Sequence, residues 1–339
     1  MTKLEKNSPD AHHKPVNKKM KWAKRILTGC FFVIIPVLLF TLIKQIEWQE
    51  VKDALASYKL STLLIGMVIA ACSYGVFASY DLIARKYANH TIPVRQIIPL
   101  GIVCYAFNLN LSTWIGGIAL RFRLYSRLGL DVPTITKIFT ICVITNWFGY
   151  LLVAGIIFSS GLLDLPEGWK IGTTTLRVIG FVLLAISVWY LIACKYAKRR
   201  SLHIFKHKIT LPSFNLAIIQ AGLATLNWCL MGLIIYTLLP EGKVSYPNVL
   251  GILLISSIAG VITHIPAGLG VLETIFITML QHQVPKGTIL AALIGYRIIY
   301  FLIPLSVALV IYLTLESRAK KMRQQNEKNK EGNSYGTAG

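Results

Sequence analysis

The chain has 339 residues, of which 55% are hydrophobic and only 14% charged. Soluble domains carry about a quarter charged residues, so this balance, with its long apolar runs, excludes an ordinary soluble enzyme and predicts an all-α polytopic membrane protein. The net charge of +21 gathers in tails and particular loops, which reads as membrane topology; no folded basic module suggests nucleic acid.

Residues 1–25 form a basic polar tail, expected to be cytoplasmic. The first apolar run, "ILTGCFFVIIPVLLFTLI" (26–43), follows it. "LTGC" has the look of a lipoprotein processing box, but basic residues stand where an apolar stretch belongs, so the run is read as an uncleaved anchor. "EWQEVKDALASYK" (47–59) places Trp48, Val51, Leu55 and Tyr58 on one helical face and predicts a short helix on the membrane surface. Further apolar segments follow at 60–82, 97–120, 138–160, 173–194, 215–238, 248–283 and 288–314. Residues 26–314 are the expected membrane domain, and 315–339 a second polar, cytoplasmic tail.

If every segment crossed, the loop 195–212 and Arg121, Arg123 and Arg127 would lie outside, against the positive-inside tendency. Making 97–120 and 248–283 re-entrant moves every strongly basic connection to the cytoplasm. Both segments are interrupted, at "NLNLSTWIGG" (108–117) and "HIPAGLG" (264–270). The half-helix Val249–Thr263 would be about 22 Å long, short of the ~30 Å bilayer core. The expectation is six crossings and two opposed re-entrant hairpins. Residues 60–160 and 215–314 would then form an inverted repeat, a transporter signature.

The chemistry-bearing residues cluster at the interruptions. In "LSTWIGGIALRFRLYSR", Gly116 and Gly117 permit close backbone approach, and the following helix start attracts anions. Arg121 reads either as a phosphate-site cation or as part of a capped, topology-setting turn. In "HIPAGLGVLE", Pro266 stops one helix and Gly268 and Gly270 permit the turn. Glu273 then either stabilises a helix start or serves as a midplane acid. Arg297, deep in "AALIGYRIIYFLIP", needs a partner, either Glu273 or a lipid phosphate. Tyr296 and Tyr300 lie one turn apart. Asp81 is read as pairing with Arg85 at i+4. Asn108, Asn110, Asn146, Gln220 and Asn227 are read as interhelical hydrogen bonders, Asn108 and Asn110 standing apart because they adjoin a break. The six dispersed cysteines suggest neither disulfides nor metal, no cofactor is expected, and nucleotide-motor, protease and lipase motifs are absent from the sequence.

Three stretches, "NLSTWIGGIALRFRLYSRLGL", "SSIAGVITHIPAGLGVLE" and "ALIGYRIIYFLIP", resemble the membrane region of lysylphosphatidylglycerol synthetase/flippases, in particular a stand-alone inner-membrane branch. The resemblance implies a bacterial inner-membrane protein and phospholipid translocation; the loop charges place both chain ends in the cytoplasm, and Arg121 and Arg297 at the half-helix starts point to an anionic phospholipid. The resemblance carries over Gly116, Gly117, Arg121, Pro266, Gly268, Gly270, Glu273, Tyr296 and Arg297 as substrate-binding residues. Many relatives carry an acidic residue just after the paired glycines, where this chain has Ile118 and Ala119. The soluble synthetase domain is missing, so no enzyme activity is implied. Two other readings stand beside it: a secondary transporter of a small anion using Glu273 as proton site, and a non-transporting partner of a phospholipid-synthesis enzyme.

Overall fold

A computed structural model describes residues 48–56, 58–111, 117–164, 172–197, 201–204 and 207–315. The expected anchor 26–43, the N-terminal tail, Gly116 and all but the first residue of the C-terminal tail lie outside them. Ten helices follow one another: α1 (Trp48–Ala56), α2 (Leu60–Ala88), α3 (Val94–Asn110), α4 (Leu120–Arg127), α5 (Val132–Ser160), α6 (Thr173–Tyr196), α7 (Phe214–Leu238), α8 (Tyr246–Thr263), α9 (Val271–Leu280) and α10 (Lys286–Leu315). Six of them, α2, α5, α6, α7, α8 and α10, are long and apolar enough to cross a membrane. Their outward faces show Phe181, Trp189, Val261 and Val310, the mark of a surface solvated by lipid rather than water. The all-α polytopic class read from the sequence holds.

Two boundaries differ from the sequence reading. Helix α8 starts at Tyr246, not at Val249, because Ser245 and Pro247 open it with a proline in its first turn. Its 18 residues span about 27 Å, close to a whole bilayer core rather than a clear half. Only the return arm α9, with 10 residues and about 15 Å, is plainly short. The loop 195–212, read as a plain basic connection, holds a small antiparallel ladder, β1 (Ser201–Ile204) with β2 (His207–Thr210). Four residues per strand gave too little alternation to detect.

Packing follows a pattern. Helix α2 packs on α3 and α5, and α7 packs on α8 and α10; α4 meets α5 as α9 meets α10. Across the two blocks, α2 lies on α7, α5 touches α7 and α8, and the π-helical turn of α10 touches α2 and α3. Each contact has a counterpart when 60–160 is exchanged for 214–315. Close approach is set by small residues: a Cβ at Gly149 of α5 would collide with Ala224 of α7, the small-residue packing that membrane helices favour. Helix α1 packs on α10, and Tyr58 donates to the Leu238 carbonyl at 2.8 Å. Burial pushes the Tyr58 phenol up to about 12.

Candidate functional site

The second interruption is held shut by its own residues. Helix α8 ends with His264 at φ 56°, and Ala267, Gly268 and Gly270 also have positive φ. Glycine adopts this region freely; Ala267 costs about 1–2 kcal/mol there. Arg297 holds the turn in place. Its Nε donates to Glu273 Oε1 at 2.5 Å, Nη1 to the Ala267 carbonyl at 3.1 Å and Nη2 to the Gly268 carbonyl at 3.3 Å. The other carboxylate oxygen, Oε2, accepts the Gly270 N–H at 2.8 Å. Arg297 has thus met Glu273, one of the two partners expected of it. All three guanidinium nitrogens are engaged, and both carboxylate oxygens.

Beside Arg297, α10 makes a π-helical turn at Ile298–Leu302. Such a turn loosens the regular ladder and frees carbonyls. Tyr74 donates to the Tyr300 carbonyl at 3.1 Å, and the Asn110 amide to the Phe301 carbonyl at 3.3 Å. Tyr296 is buried and stacks on Tyr300 at 5.4 Å. The Tyr300 hydroxyl meets Tyr105 at 2.7 Å and Ser73 at 2.8 Å, and Ser73 donates to Asn227 Oδ1 at 2.7 Å. This network joins α2, α3, α7 and α10 near their midpoints.

Beyond the first interruption, Arg121 meets a partner the sequence reading assigned elsewhere. Asp81 does not pair with Arg85; it accepts from Arg121 Nη2 at 2.9 Å and from the Tyr125 hydroxyl at 2.8 Å. Asp81 is 0% exposed and Arg121 4%. Burying a carboxylate is expensive, and a cation with a second hydrogen bond offsets that cost where a surface i+4 pair would not. Arg121 Nε has no hydrogen-bond partner.

Arg121 and Gly117 line a cavity of about 250 Å³ together with Cys104, Cys142, Phe77, Tyr105, Asn108, Asn146, Trp147 and Trp228. Asn108 Oδ1 is also buried without a partner. Unsatisfied buried polar atoms are uncommon and ask for an explanation. Trp228 donates to the Asn146 carbonyl at 3.2 Å, and Tyr150 meets Trp147 and Trp228 edge-on at 5.5 and 5.4 Å. Of the residues expected to bind substrate, Gly117 and Arg121 lie on this cavity. Gly268, Gly270, Glu273 and Arg297 gather at the second interruption, where Pro266 opens a single 3₁₀ turn. Sequence reasoning gave Asp81 the wrong partner and missed Tyr125 and the two tryptophans. The one usable signal was Asp81 itself, a carboxylate inside an apolar run.

The chain matches the family described as "Lysylphosphatidylglycerol synthase TM region" over residues 26–308. It is 49% identical to "Inner membrane protein YbhN" of Escherichia coli K12 over 310 residues, covering 91% of this chain and 97% of the relative. A Synechocystis protein, slr0712, is 30% identical over 91% of this chain and 97% of its own. The phosphatidylglycerol lysyltransferase of Staphylococcus haemolyticus is 21% identical over 87% of this chain, a match confined to 34% of that enzyme. The chain therefore belongs to the lysylphosphatidylglycerol synthase TM region family, as a polytopic membrane protein that corresponds to the membrane part of the lysyltransferases.

Proposed function

We propose that the protein moves a phospholipid between the leaflets of a bacterial inner membrane, the headgroup passing through the cavity beside Arg121 while the acyl chains stay in lipid. The observation that carries this reading is a cavity lined from the middles of the membrane-length helices α5 and α7 and by Arg121 and Asn108, each of which has a buried polar atom without a partner. Polar space at that depth is costly unless something polar occupies it. The family supports a link to phospholipids.

The exchangeable packing of 60–160 and 214–315 supports the inverted-repeat arrangement, with α3–α4 and α8–α9 as opposed re-entrant hairpins and both chain ends cytoplasmic. Within it, Gly117 and Arg121 border the headgroup path, and Glu273 with Arg297 fixes the backbone of the second hairpin. The sequence reading set an anionic headgroup against Arg121 and Arg297 with Glu273 poising both; Glu273 pairs with Arg297 and Asp81 with Arg121. A proton-site role for Glu273 is disfavoured by the same pair, because both its oxygens are bound.

Reconstitution into liposomes with fluorescent phospholipids in both leaflets tests the proposal. Reduction of the outer-leaflet dye should be followed by loss of the inner-leaflet signal faster than in empty liposomes. Equal loss with folded protein present contradicts it. Labelling single cysteines placed at 111 and 265 from one side and then the other tests the topology; access to both from one face only rejects the inversion.

A further inference from the structure

The cavity beside Arg121 is close to electrically neutral. Among the described residues its lining contains one charged group, Arg121, and Asp81 compensates it at 2.9 Å. A headgroup carrying a net negative charge would bring that charge into a buried space with no spare cation, at a large desolvation cost. A headgroup that carries its own counter-charge does not meet this penalty.

The two polar atoms without partners have opposite characters. Arg121 Nε is a donor on a cation; Asn108 Oδ1 is an acceptor. The rings of Phe77, Tyr105, Trp147 and Trp228 line the same cavity. Aromatic faces attract ammonium groups, tryptophan most strongly. The lining therefore offers a cationic donor suited to a phosphodiester oxygen, and aromatic rings with an amide acceptor suited to a primary ammonium that has N–H groups to give. The volume of about 250 Å³ is below the roughly 300–1,000 Å³ of pockets for drug-sized ligands. It suits a compact headgroup rather than one lengthened by an amino acid.

We propose that this cavity binds the zwitterionic phosphoethanolamine headgroup of a phospholipid, phosphate at Arg121 Nε and ammonium against Trp147, Trp228 and Asn108. The assignment rests on the lipid-transport reading for its biological setting, and its test is separable. Full-length protein in detergent is titrated with short-chain phosphatidylethanolamine and phosphatidylglycerol, and the bound lipid is counted by native mass spectrometry. Phosphatidylethanolamine should bind about tenfold more tightly, a preference of the size a desolvated cation–π contact gives. Trp147→Leu should erase the preference, Trp147→Phe should keep most of it, and Asn108→Leu should reduce it, each with a melting temperature showing an intact fold. Equal binding of the two lipids, or a preference unchanged in Trp147→Leu, overturns the proposal. Soluble glycerophosphoethanolamine binding as tightly as the lipid overturns the lipid assignment. Selective binding without leaflet exchange in liposomes supports the site while rejecting transport; exchange without headgroup selectivity does the reverse.

Discussion

Each of the two interruptions has an arginine that pairs with a carboxylate, Arg121 with Asp81 and Arg297 with Glu273, yet the two are built for different work. At the second, every nitrogen of Arg297 and both oxygens of Glu273 are engaged, three of the contacts being with the backbone of the break itself. At the first, Arg121 lines a cavity, is tied to Asp81 by one nitrogen and leaves Nε without a partner. The difference is spare hydrogen-bonding capacity: a saturated pair fixes a fold, and an unsaturated one next to open space is equipped to receive a ligand.

The largest effect should come from breaking the buried pair one partner at a time. Asp81→Ala leaves the Arg121 charge uncompensated and is expected to cost about 3–5 kcal/mol, read as loss of folded protein after extraction. Next comes overpacking where α5 meets α7. Gly149→Leu drives a side chain into Ala224 and is expected to cost about 1–3 kcal/mol in thermal melts. Glu273→Gln should be milder, about 1–2 kcal/mol, because Arg297 keeps its two carbonyl partners and partial exposure screens its charge. Hydrogen exchange should rise locally at 264–270, with little change around Arg121; a uniform rise would blur the distinction between the two sites.

The smallest effect concerns pH. His90 follows α2, near Tyr125 at 6.2 Å between ring centroids. Burial lowers its pKa below the usual 6.5, Arg85 adds to the lowering, and Asp81 partly opposes it. A lowered folded-state pKa means the unfolded chain binds the proton first. Stability is therefore full above about 6.5 and declines as pH falls below it. His90→Gln should flatten the melting temperature between pH 5 and 7 by a small amount; an unchanged slope would assign the dependence to another group.

Apolar run length made the membrane helices visible in sequence, and proline and glycine made the second break visible, because these depend on local chemistry. Pairing Arg297 with Glu273 was also within reach, since both lie in neighbouring segments with few other charges. Pairing Asp81 with Arg121 was not. They are separated by a whole helix and a break, and the i+4 rule that favoured Arg85 describes isolated surface helices rather than buried carboxylates. The walls of the cavity were equally hidden. Asn108, Trp147 and Trp228 come from three different helices, and periodicity says which face is apolar without saying which faces meet. The early start of α8 shows the same limit at a boundary, where three residues move a helix from a clear half-span to a near-complete one.

The most direct measurement is phospholipid exchange in proteoliposomes by two double variants that each remove a charge pair as a unit. Asp81→Asn with Arg121→Gln replaces the buried pair by neutral groups, which proteins tolerate better than a lone charge. Glu273→Gln with Arg297→Gln does the same at the second break. With both proteins folded, the first is expected to lose exchange to the level of empty liposomes. The second is expected to stay within about threefold of the parent. Exchange preserved in the Asp81/Arg121 variant, or lost only in the Glu273/Arg297 variant, would contradict the assignment of the headgroup path to the first site.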